Sequence, residues 1–172
     1  NTPFFSDGWY DYFGLLNGPT STFTGSAGTG TTGLTGQDGA PRVPPYLDFT
    51  PPFLVAQDID GEGALEPFAL TWTGINISKC VSMSFAGKFA EGGARGSDRS
   101  DYVRVDVSID GSYPPQNVFW LSASGDGSNE LFAVDADFDG LGEGTTLTSR
   151  AQTFTAPIVG TGSHLELRVL LK

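Results

Sequence analysis

The chain has 172 residues, 38% of them hydrophobic, and twenty acidic against nine basic side chains give it a formal net charge of −11. That length suits one domain, residues 1–172, whose core needs no disulfide or metal staple, and the single cysteine, Cys80, cannot form an internal disulfide. The acidic balance excludes a nucleic-acid partner, whose phosphates it would repel, and no apolar run approaches the roughly 20 residues of a membrane-spanning helix, so membrane insertion is excluded too.

The chain opens on Asn1-Thr2-Pro3, without a methionine or a charged-then-apolar targeting segment, and so reads as processed or trimmed. In the aromatic stretch that follows, Trp9, Tyr10 and Tyr12 crowd beside Asp7 and Asp11 outside any clean alternation. Trp9 is thereby a candidate exposed ring for stacking on a sugar. Residues 23 to 39, including Thr24-Gly25-Ser26-Ala27-Gly28-Thr29-Gly30, are too poor in apolar side chains to offset their ordering entropy by burial. This glycine- and threonine-rich segment reads as an N-terminal loop or a docking arm; Gly28, Gly30 and Gly33 match a dinucleotide fingerprint only by low complexity, with no strand before and no helix after.

Short strands are expected at 46 to 49 and 53 to 56. Next, Asp58-Ile59-Asp60-Gly61-Glu62 sets acidic side chains at alternate positions around a glycine, which makes Asp58 and Asp60 candidate calcium ligands. From residue 68 onward period-two alternation dominates: 68 to 73, then Val81, Met83 and Phe85, then 102 to 109, and finally Leu165, Leu167, Val169 and Leu171. This alternation makes Cys80 a buried or half-buried structural thiol rather than a nucleophile. Residues 117 to 123 carry apolar side chains on both faces and belong in the middle of a sheet. Shorter strands are expected at 131 to 134 and 151 to 156. Trp72 and Trp120 lie in strands and should be buried, whereas Tyr113, followed by Pro114-Pro115, sits at a turn and should be exposed, a second candidate ligand contact. About eight to ten such strands, punctuated by Gly, Pro and Asp turns, predict an all-β fold, an antiparallel β-sandwich of jelly-roll type.

The densest chemistry lies in Asp135-Ala136-Asp137-Phe138-Asp139-Gly140, carboxylates on every second residue closed by a glycine. Hard cations demand clustered oxygens of this kind, so Asp135, Asp137 and Asp139 are candidate Ca²⁺ ligands. The twelfth position, where an EF-hand has a bidentate Glu, is Thr146, and no helix-forming stretch flanks the loop, which therefore belongs to another scaffold. Asp110-Gly111 and Asp126-Gly127 read as ordinary tight turns.

The run Asp101-Tyr102-Val103-Arg104-Val105-Asp106-Val107-Ser108-Ile109-Asp110-Gly111, with the later acidic loop extended through Leu141-Gly142-Glu143-Gly144-Thr145 and the upstream Asp58-Ile59-Asp60-Gly61, resembles secreted jelly-roll modules of microbial surface proteins. These are similar to galactose-binding-like and carbohydrate-binding domains. The resemblance covers residues 54 to 172 and implies extracellular attachment or cohesion, sometimes carbohydrate binding, without catalysis.

Catalysis finds little support in the residues. The one histidine, His164, opens a strand and points outward with Glu166 and Arg168, so any serine triad or histidine-ligated metal would have to run through it. The free thiol suits the cytosol, but calcium-type loops, scarce lysine and the sequon Asn76-Ile77-Ser78 suit an extracytoplasmic, secreted or cell-surface location. The expected function is a noncatalytic, calcium-stabilised binding module for carbohydrate or another surface. The alternative is a structural or accessory subunit docking onto a larger protein assembly, and a glycan-active enzyme would need two facing carboxylates in a deep cleft.

Overall fold

The computed structural model describes residues 5–6, 12–16, 53–57, 67–91 and 97–172. Trp9, Asp58, Asp60 and the glycine- and threonine-rich segment lie outside the described residues. Ten strands follow in chain order: β1 Phe5–Ser6, β2 Tyr12–Leu16, β3 Phe53–Gln57, β4 Phe68–Asn76, β5 Met83–Phe89, β6 Tyr102–Ile109, β7 Gln116–Ala123, β8 Phe132–Val134, β9 Gln152–Ile158 and β10 His164–Leu171. No helix occurs among the described residues.

By internal contacts the chain divides into two compact units, Asn1–Glu66 with Ala90–Gly93 and Thr148–Gln152, and Pro67–Phe89 with Ala94–Leu147 and Thr153–Lys172. In the first, β1, β2 and β3 form an antiparallel sheet in which Tyr12 faces Gln57 and Leu16 faces Phe53. The second holds a five-stranded antiparallel sheet in the order β4-β10-β6-β7-β8 and the pair β5-β9.

Period-two alternation places one side chain in two on the core face of each strand. In register, Val103, Val105 and Val107 of β6 face Leu171, Val169 and Leu167 of β10. All of these but Leu171 join Val118, Phe119 and Leu121 of β7 in a core onto which Met83, Phe85 and Phe89 of β5 and Phe154, Ala156 and Ile158 of β9 pack. Phe119 sits at the join: its ring centroid lies 5.9 Å from Phe85, 5.3 Å from Phe89 and 5.3 Å from Phe154. Two antiparallel sheets thus enclose one apolar layer, as in a β-sandwich.

β7 lies between β6 and β8 and is buried on both faces at Val118, Phe119, Leu121, Ser122 and Ala123, as its two-sided apolar pattern requires. Elsewhere the structure corrects the sequence reading. Trp72 is 48% exposed and lies in β4, an edge strand of its sheet among the described residues. Cys80 is also exposed: its N–H donates to the Ile77 carbonyl in a turn, Val81 is fully exposed, and the alternating strand begins only at Met83. Leu170, on the polar side of the alternation in β10, is buried at 2% exposure, so this strand is covered on both faces near its end.

Candidate metal centre

The acidic loop leaves β8 and folds back along that strand's free edge. Val134 N–H donates to the Thr145 carbonyl, Gly144 N–H to the Val134 carbonyl and Leu147 N–H to the Phe132 carbonyl, while Thr146 bridges Ala133. Gly142 is the wedge: its N–H donates to the Ala123 carbonyl, and a Cβ there would stand 2.6 Å from the Ser122 oxygen and 2.8 Å from the Ala133 oxygen. Such approaches to backbone admit only glycine.

Inside the loop Asp135 is 1% exposed and acts as the anchor. Its Oδ1 accepts the N–H groups of Phe138 at 2.7 Å and Asp139 at 3.2 Å; its Oδ2 accepts the Gly140 N–H at 2.8 Å and the Ser122 hydroxyl at 3.1 Å. A carboxylate has about four lone-pair sites, so this one is fully engaged by the protein. The turn it holds forces Phe138 to φ 64° and Gly140 to φ 93°. A bulky residue at positive φ is an outlier, and here the Phe138 ring lies on Trp120 at 6.3 Å and 23°.

Asp135, Asp137 and Glu143 bring one carboxylate oxygen each within 4.8 Å of one another, a group with the composition of a hard-cation site. Asp137 is exposed, and Glu143 is exposed with its Oε1 accepting the Ala136 N–H at 2.8 Å. Asp139 stands outside the group, with its Oδ1 accepting the Leu141 N–H at 2.9 Å. Sequence reasoning passed over Glu143. Counting from Asp135 it holds the ninth position of the loop, a ligand position in EF-hands, and that spacing was the signal available. All the donors are oxygen, which favours Ca²⁺ or Mg²⁺ over zinc or copper.

Of the two Asp-Gly pairs read as tight turns, Asp110-Gly111 is one and Asp126-Gly127 lies in a bend. Asp110 and Gly111 have φ 49° and 77°, and the Asp110 carboxylate accepts the Ser163 and His164 N–H groups of the chain entering β10, at 3.0 and 2.8 Å. Those two backbone donors hold its carboxyl below the usual carboxylate range. Asp126 pairs with Arg99 at 2.7 Å on the surface. His164 is exposed, its Nδ1 3.9 Å from Asp110 Oδ1.

A shallow depression of about 360 Å³ opens at this end of the sheet, lined by Thr73, Gly74, Ser108, Asp110, Gly111, His164, Leu165 and Glu166. Tyr113, two residues beyond Gly111, is 92% exposed. Trp120 offers no comparable ring: it is half-buried, with the Arg104 guanidinium 5.6 Å from its centroid. A scan of family models returns no match for the chain, and neither does a search of curated proteins or of solved structures.

Proposed function

We propose that the chain is a noncatalytic binding module of the extracytoplasmic space, of jelly-roll topology, stabilised by Ca²⁺ in its acidic loop and recognising neutral carbohydrate. The observation that carries the binding reading is the depression lined by Thr73, Ser108, Asp110 and Glu166, with the exposed Tyr113 two residues along the chain from its Gly111. Neutral sugars offer rings an apolar face and offer such side chains hydroxyls. A chain of net charge −11 disfavours acidic polymers. Support for the jelly-roll order comes from β10, which returns between β4 and β6 while β5 and β9 cross to the second sheet.

The cation reading rests on Asp137 and Glu143, which would hold Ca²⁺ beside Asp135, with loop carbonyls and water completing a shell of about six to eight oxygens. With so few charged ligands the site belongs at the weak end of calcium affinities, a dissociation constant of about 10⁻⁴–10⁻³ M, the range of extracellular modules. Asp135 beside them is already engaged by four protein donors, so the cation tightens a loop that is folded without it.

The test of binding is a glycan array read beside Tyr113→Ala. The variant should lose the glycan signal and keep its melting temperature, since an exposed ring contributes little to the core. Release of reducing ends from the bound glycan would overturn the noncatalytic reading; an array without signal would remove the carbohydrate.

A further inference from the structure

One motif of the sequence has no part in the binding or cation readings. Asn76-Ile77-Ser78 is an Asn-x-Ser acceptor for N-linked sugar, and the other asparagines, Asn1, Asn17, Asn117 and Asn129, have no Ser or Thr two residues on. A three-residue match is weak by itself. What gives it weight is an exposed turn, where the folded chain can leave a bulky group in solvent.

Such a turn is present. Asn76 is the last residue of β4, and the chain turns at Ser78 and Lys79 on its way to β5. Asn76 and Ser78 are exposed, while Ile77 between them is 6% exposed and donates its N–H to the Ser163 carbonyl. The buried isoleucine pins the middle of the motif and leaves its two polar residues outside.

The hydrogen bonds of the motif are one-sided. Asn76 Oδ1 accepts the Ser78 hydroxyl at 2.8 Å and the Ser78 N–H at 3.1 Å. Both engage the oxygen of the amide, so its nitrogen, the atom that takes the sugar, is the uncommitted end of an exposed side chain. A glycan there displaces no core residue and no ladder hydrogen bond.

Register fixes what lies beside it. Asn76 stands directly opposite His164 of β10, and opposed residues of an antiparallel pair share a face, with Cβ atoms about 4.5–5.5 Å apart. His164 lines the shallow depression, as do Thr73 and Gly74 of β4.

We infer that Asn76 is the attachment site of an N-linked oligosaccharide, which borders the depression at His164. The donor class is an oligosaccharide carried on a polyprenyl diphosphate. The Asn76 amide nitrogen attacks the anomeric carbon and gives up one proton; the new C–N bond replaces the C–O bond to the diphosphate, which leaves with the electron pair. Such transfer takes place in a secretory lumen, so it rests on the extracytoplasmic reading and needs neither the cation nor the carbohydrate ligand.

The test is expression of the chain behind an added leader in a eukaryotic host, which supplies the lumen whatever the native location, so that Asn76 and the location fail separately. Peptide N-glycosidase should lower the mass of the wild type by one glycan and convert Asn76 to Asp, in secreted and lumen-retained chains alike. Asn76→Gln and Ser78→Ala should each abolish that loss, and Ser78→Thr should keep it. The second readout is His164, the one histidine of the chain. Diethyl pyrocarbonate, followed by the absorbance of carbethoxyhistidine, should modify it more slowly in the glycosylated wild type than in Asn76→Gln or Ser78→Ala from the same host. Wild type without glycosidase-sensitive mass, a glycan that survives in Asn76→Gln, or a His164 that reacts equally with and without the glycan would each overturn the inference.

Discussion

Two aspartates in this fold solve the same problem at different depths. Asp135 and Asp110 both use their carboxylates to gather backbone N–H groups at a turn. Asp135 is buried and collects three of them from its own loop, with the Ser122 hydroxyl as a fourth donor. Asp110 is exposed, and its donors Ser163 and His164 come from a distant part of the chain, so it ties the end of β6 to the start of β10. Burial makes the difference: donors stranded in the interior stay unpaired, whereas donors at the surface turn to water. The first aspartate therefore holds structure, and the second trims it.

The largest expected effect breaks the deeper site. Asp135→Ala should cost about 2–4 kcal/mol, because it strands several donors at once, and chemical denaturation should show the loss with calcium and with chelator alike. Next is the wedge behind it. Gly142→Ala should destabilise by about 1–3 kcal/mol, since neither the Ser122 nor the Ala133 carbonyl can withdraw without moving the sheet.

Two sharper tests separate holding a loop from holding an ion. At tenfold excess over the dissociation constant, bound Ca²⁺ adds about 1.4 kcal/mol. Asp137→Asn and Glu143→Gln should abolish that increment in a calcium-dependent melting series while leaving the chelated protein unchanged, and Asp139→Asn should retain it. Wild-type melting insensitive to both calcium and chelator would remove the cation.

The smallest effect belongs to Asp110. Its folded carboxyl lies below the ordinary value of 3.8, held there by the Ser163 and His164 amides. The contribution is therefore fully present above pH 3.8 and is lost as pH falls through the depressed folded value. Asp110→Asn should remove this component from an acid-unfolding profile and lower stability at neutral pH by the same small amount, since the group is exposed. A variant that instead melts much lower at neutral pH would show that Asp110, too, holds structure.

Much of the fold was legible because alternation is a local signal. Val103, Val105, Val107, Leu165, Leu167 and Val169 share one core, as their spacing demands. Where the reading failed, alternation gave no hint of position within a sheet: Trp72 follows the pattern of a buried residue and is half exposed in β4, which has no outer neighbour among the described residues. Val81 extended the pattern of β5 by one residue too many and carried Cys80 with it. In the acidic loop the composition was plain, but alternate residues do not share a face in a tight turn. Asp135 therefore turns inward to the backbone, Asp139 leaves the group, and Glu143 enters it.

The place of β10 also sets a timetable. It follows β4, β6, β7 and β8 in the chain, yet it lies between β4 and β6, and its partners in β4 are on the order of a hundred residues upstream, which marks a slow, nonlocal assembly. Until His164–Leu171 emerges, β4 has no neighbour in the sheet among the described strands, and β6 has one of its two sides open. Nascent chains stalled between β8 and β10 carry a sheet without the strand that joins β4 to β6, and are exposed to mispairing until it is made.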